Sequence, residues 1–186
     1  MQMALRFAAA MVFVAVAGCA NENTTPRDSV VVSVSAYGPD NFGLHKHGVG
    51  ASYDVRDTDS RTPLAFPPMD LRACNASNTA CALGYGVIDG FAEVVSTNAT
   101  NATVTINLKY QVGRSYSFDA NGQRFKQEVP SDVQALQANQ VISKHYELAY
   151  GEVVRLPLQY GVEVALCAMK KTAGELTPDR RVCQER

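Results

Sequence analysis

Clustered positive charge is missing from this chain of 186 residues. Its nearest approaches to a basic run are the pairs Lys170-Lys171 and Arg180-Arg181. Phosphate backbones are held by arrays of Lys and Arg, so nucleic acid is not expected as a partner. No apolar stretch reaches the roughly 20 residues that a membrane-spanning helix needs. There is no Gly-x-Ser-x-Gly elbow and no glycine-rich dinucleotide or phosphate loop. Internal repeats are absent and helical periodicity is scarce. What remains to be read is the N-terminus, the cysteines and a pattern of alternation.

Arg6 is the only charge before Glu22, and an apolar run follows it from Phe7 to Ala17. As a helix this run rises roughly 16 Å, about half of a bilayer core. A positive start, a short apolar centre and small residues at its end describe a secretory signal. The run closes on Val16-Ala17-Gly18-Cys19, which resembles the lipobox of bacterial lipoproteins. The resemblance implies cleavage before Cys19, a diacylglyceryl group on its thiol, and a second acylation (palmitate, for example) on the freed amine. Two such anchors hold stably where one binds only marginally. Ala20, in place of the Asp that retains such proteins at the inner membrane, resembles the outer-membrane sorting pattern of Gram-negative lipoproteins. Residues 1–18 are thus expected to be removed. Residues 19–29 would form a lipidated tether, and residues 30–186 one folded domain facing the periplasm or the exterior.

Loss of Arg6 leaves 16 basic against 18 acidic residues, a mature net charge of −2. The 168 residues that remain suffice for one substantial core. The tether, Ala20 to Ser29, is polar and contains Pro26. As a flexible coil it spans on the order of 17 Å, which keeps the domain near its membrane.

Four cysteines accompany Cys19: Cys74, Cys81, Cys167 and Cys183. An even number in an oxidising compartment points to disulfides. Of three possible pairings the local one, Cys74–Cys81 with Cys167–Cys183, is preferred. The first would close a polar loop; the second would pin the C-terminal tail, at roughly 3 kcal/mol. A four-thiolate zinc site is the alternative, but no Cys-x2-Cys spacing supports it.

From Val30 onward the period is two. Val30, Val32 and Val34 alternate with Val31, Ser33 and Ser35, and Val49 to Arg56 behaves likewise. The clearest case is Val104, Ile106, Leu108, Tyr110 and Val112, interleaved with polar residues. Such alternation means strands with one buried and one wet face, as in antiparallel sheets. Further strands are expected over residues 85–95, 115–119, 124–129, 141–149, 153–156 and 162–169, with Asn121-Gly122 as a hairpin turn and Pro157 marking an edge. The one helix signal is Ser131 as an N-cap before Asp132 to Ala138. The expected fold is all-β: an antiparallel sandwich of Greek-key type with eight or nine strands and one short helix. The stretch Val55-Arg-Asp57-Thr-Asp59-Ser-Arg-Thr62-Pro63-Leu64 resembles the strand-turn-strand of immunoglobulin-like and transthyretin-like modules, without their usual turn glycine.

Side chains that could carry chemistry are few. His45 and His47, two apart on a strand, could grip one metal ion if Asp40 or His145 supplied a further ligand; a solvated polar loop is the plainer reading. Asp54, Asp57 and Asp59 have the spacing of a calcium-loop opening, yet Arg61 and the lack of the glycine and distal glutamate favour a solvated turn. The tyrosines, among them Tyr37, Tyr85, Tyr110, Tyr146, Tyr150 and Tyr160, read as packing residues. No catalytic residue, metal or cofactor is assigned beyond the covalent lipid on Cys19.

The expected function is therefore that of a non-catalytic binding or assembly module anchored in the cell envelope, whose partners are the membrane and another envelope protein. Within this class fall an accessory component of an envelope machine and a surface antigen or adhesin. The alternatives are an inhibitor that plugs a host or rival hydrolase with loop 74–81, and a lipid-anchored hydrolase using His145. Replacing Cys19 with Ser should move the protein from the membrane to the soluble fraction on cell fractionation. Retention at the membrane would show that the anchor lies elsewhere.

Overall fold

In the computed structural model, residues 29–39, 47–58, 61–114, 116–118, 124–126, 128, 131–173, 175 and 177–183 are described. Alternation fixes the strands, and strands must bury their apolar side against something. Here two antiparallel sheets do so against each other. The first is built from β1 (Ser29–Gly38), β2 (His47–Arg56), β10 (Val153–Pro157) and β11 (Glu163–Lys171), in the order β10-β11-β1-β2. The second contains β3 (Thr62–Ala65), β4 (Met69–Cys74), β5 (Cys81–Thr97), β6 (Asn101–Arg114) and β9 (Ala138–Ala149). Its order is β3-β5-β6-β9, with β4 also paired to β5. The last strand, β11, thus returns beside the first. A separate ribbon pairs β7 (Tyr116–Phe118) with β8 (Arg124–Lys126); the proposed Asn121-Gly122 turn lies outside the described residues.

All nine expected strands are present, and β10 with Pro157 is indeed an edge. Two more, β3 and β4, bring the described total to eleven. They lie end to end along one side of β5, β4 opposite residues 81–86 and β3 opposite 89–92. Pro63, Pro67 and Pro68 hide them in the sequence because proline signals loop.

The helix expected after Ser131 does not form: residues 131–137 are turn and extended chain, and the two described helices are 3-10 turns at Gln159–Gly161 and Arg180–Cys183. Two helical turns in isolation are marginal. A better arrangement was open to this segment. Val133 and Leu136 are buried, and the Tyr160 hydroxyl takes up backbone groups that a helix would have used internally. It donates to Ala135 O at 2.7 Å and accepts from Gln137 N at 3.1 Å.

The core lies between the sheets. Val32, Val34, Val55, Val164 and Leu166 of the first sheet meet Leu64, Ile88, Val104, Ile106 and Leu108 of the second. Strand β5 departs from the expected pattern, because apart from Ile88 and Val94 its inward positions are small. Ala82, Gly84, Gly86, Gly90 and Ala92 alternate with outward Leu83, Tyr85, Val87, Phe91 and Glu93. The inward notch admits Tyr110, 1 % exposed, whose ring would lie 2.9 Å from a Cβ on Gly86. Burial, with Tyr160 nearby, pushes the Tyr110 phenol well above its ordinary value. It stays a neutral donor, bonded to Gln159 O at 3.2 Å.

Gly90 has a φ of +151°, and a Cβ there would meet Asn107 O at 2.0 Å. Both steric and backbone terms oppose any side chain. Gly90→Ala should cost about 3 kcal/mol, a drop of about 6–12 °C in melting temperature. A variant melting with the wild type would show that β5 and β6 can part locally at no cost.

Candidate functional site

The two ends of the sandwich are built differently. Chain enters β1 at Ser29, which pairs with Lys171. At that end the β5–β6 turn is closed by Asn98, whose Oδ1 accepts from Thr100 N at 2.8 Å and Asn101 N at 2.9 Å. Tyr150, just past β9, donates to Asn98 O, and Lys170 of the other sheet donates to Ala99 O. The opposite end collects loop 74–81, the segment 131–137, the 3-10 turn Gln159–Gly161 and the start of the β7–β8 ribbon.

Loop 74–81 is rigid for reasons legible in its residues. The Cys74–Cys81 disulfide closes it, with 3.9 Å between the Cα atoms. Inside, Asn75 Oδ1 accepts from Thr79 N at 2.9 Å, and Asn78 takes the left-handed φ of 56° that Asn tolerates. Asn75 Nδ2 also donates to Asp132 Oδ2 at 2.9 Å, tying the loop to segment 131–137. Residues 76–79 stand exposed on this frame. Beside them the outward side of β5 presents Leu83, 50 % exposed, and Tyr85, 40 % exposed. The Tyr85 ring covers Gly113 on β6, while Arg72 and Asp70 of β4 sit opposite Leu83 and Tyr85. Of the six tyrosines expected to pack, Tyr85 is the exposed one; Tyr110 is buried and the other four are half-buried.

The same end holds a depression of about 630 Å³ lined by Gln111, Gln137, Asn139 and Gln159 over an apolar floor that includes Val112 and Ala138. None of these residues stood out in the sequence. Carboxamides have no diagnostic spacing, and Gln111 and Asn139 come together only through the β6–β9 register.

Three edge strands, β3, β10 and β9, are guarded. β3 carries Pro63, and Tyr53 Oη lies against both Ala65 N and Ala65 O. β10 ends in Pro157. On β9 the core-facing series Ile142, Lys144, Tyr146 and Leu148 places a charge where an added strand would cover it. The Lys144 ammonium rests over the Tyr146 ring at 5.2 Å. Proline and inward charge are the usual defences of an open edge.

Both preferred disulfides are present. Cys167–Cys183 draws the tail across the outer side of the first sheet, where Val31, Cys167 and Met169 form a second, smaller core with Val153 and Cys183. This explains why Val31, expected to be wet, is 4 % exposed. An ion pair from Arg180 to Asp54 at 2.6 Å fixes the tail further. At the start of β11 Glu163, 6 % exposed, pairs with Arg155, whose guanidinium lies over the Tyr37 ring at 5.4 Å.

The described metal candidates are not brought together. Asp40, His45 and Asp59 lie outside the described residues. His47 begins β2 in the first sheet, whereas His145 is on β9 in the second, its Nδ1 2.9 Å from Thr105 Oγ1. Asp57 Oδ2 accepts from Val30 N at 3.0 Å and Asp54 is paired with Arg180, so both act as structural acceptors. Among the described residues no three His, Cys, Asp or Glu side chains form a metal-holding group. No described helix is long and apolar enough to cross a membrane. No family model, curated protein or solved structure matches the chain.

Cys183→Ser should free the tail and lower stability by about 3 kcal/mol. Limited proteolysis should then cut within residues 172–183 while the strands resist. Equal resistance in wild type and variant would mean that the ion pair and the small core suffice to hold the tail.

Proposed function

We propose that this protein is a lipid-anchored envelope module that binds another envelope protein through the end of the sandwich remote from its tether. One observation carries the reading: chain enters at Ser29, at the end of the Asn98–Asn101 turn, while the rigid loop 74–81 with Leu83 and Tyr85 lies at the other. A lipid on Cys19 would leave the first end toward the bilayer and the second free to meet a partner. A short tether restricts reach, which raises the effective concentration of partners in the same membrane layer. Exposed Leu and Tyr beside a pre-ordered loop are the kind of surface that repays burial at little entropic cost. Guarded edges turn the expectation away from strand addition and toward loop and side-chain contact. The pre-ordered loop also favours a second reading, an inhibitor that inserts residues 76–79 into a hydrolase, which requires tight one-to-one binding.

Crosslinked pull-down from intact envelopes should yield one reproducible partner. Capture should fall about tenfold with Leu83→Asp, whose melting temperature should match the wild type, and should weaken with Cys19→Ser. A partner retained by Leu83→Asp would remove the contact from this end. No partner in any form would overturn the binding role.

A further inference from the structure

The depression at the far end has a composition unlike the rest of the surface. Four carboxamide residues line it, Gln111, Gln137, Asn139 and Gln159, and among the described residues no charged one does. Each carboxamide offers one acceptor oxygen and two donor hydrogens in fixed relation. A ligand that matches must itself donate and accept at short intervals while carrying no net charge. None of the described lining residues carries a charge that would favour a phosphate or a cation. Ring hydroxyls of a sugar satisfy the requirement, each being donor and acceptor at once.

The walls are held from behind, so the amides are presented on fixed backbone. Tyr110 anchors the Gln159 carbonyl at 3.2 Å from inside the core. Tyr160 anchors Ala135 and Gln137 at 2.7 and 3.1 Å. Tyr160 itself has a φ of 59° and a ψ of 33°, a left-handed conformation that a tyrosine keeps only when its surroundings insist. Strain retained at the rim of a concave, polar, pre-ordered surface marks a site rather than an accidental hollow.

We propose that this depression binds a neutral saccharide, with the side chains of Gln111, Gln137, Asn139 and Gln159 as its hydrogen-bonding groups. The site borders the Leu83–Tyr85 surface, Gln111 being two residues from the Gly113 that Tyr85 covers, but its test needs neither the anchor nor a protein partner.

The test uses the oxidised, nitrogen-15-labelled full chain carrying Cys19→Ser, titrated with maltotriose, tri-N-acetylchitotriose and trigalacturonate. At least one neutral trisaccharide should shift the side-chain amide resonances of the four residues, with a Kd of about 1 mM or tighter. Gln111→Ala and Gln159→Ala, at exposed side chains, should each weaken binding about tenfold without moving the melting temperature. The inference is overturned if neither neutral sugar shifts these signals at about 10 mM, if trigalacturonate binds as well as they do, or if both alanine variants bind unchanged.

Discussion

Tyr110 fits between the sheets because Gly86 faces it without a side chain. From that contact the far end of the molecule follows in sequence. The phenol is carried inward on β6 by strict alternation and finds room only against the small inward residues of β5. Its hydroxyl, deep in the core, needs an acceptor, and Gln159 O provides one. That bond sets the 3-10 turn at Gln159–Gly161, which puts Tyr160 where it captures segment 131–137. Asp132 of that segment then holds loop 74–81 through Asn75. A single inward notch thus positions three loops that are far apart in the chain.

The first half of strand β5 inverts the customary arrangement, with Ala82, Gly84 and Gly86 inside and Leu83, Tyr85 and Val87 outside. The inversion costs apolar burial on that strand, but Tyr110 and Leu136 fill the space that the missing side chains leave. It also leaves Leu83 and Tyr85 on the wet side, where a uniformly polar strand would have nothing to offer another protein. On the proposed function, packing and recognition would be coupled on one strand, because period two obliges every inward glycine to have an outward neighbour.

Most of the fold was legible because alternation is a direct image of two-sided burial. β6 is the plainest example, from Val104 to Val112. The cysteine pairing was legible from locality alone, Cys74 facing Cys81 across a short hairpin. Val31 misled, since its burial depends on a tail more than a hundred residues away, and β3 and β4 were obscured by three prolines. Ser131 carried a sound capping signal, yet local propensity lost to the Tyr160 hydroxyl, a partner supplied only by the tertiary fold. The amide-lined depression left no trace in the sequence: its four residues share neither a motif nor a neighbourhood until β6, β9 and the Gln159 turn converge.

The position of β1 has a mechanical consequence. It lies between β11 and β2, hydrogen-bonded on both sides nearly from its first residue. Antiparallel bonds run perpendicular to the strands. A pull on Ser29 resisted at the far end of the sandwich therefore loads both ladders in shear, with many bonds sharing the force. Peeling, which breaks bonds one at a time, would require force on an edge strand. A domain tethered through β1 is consequently strong along the axis on which a membrane-held protein and its partner would draw it.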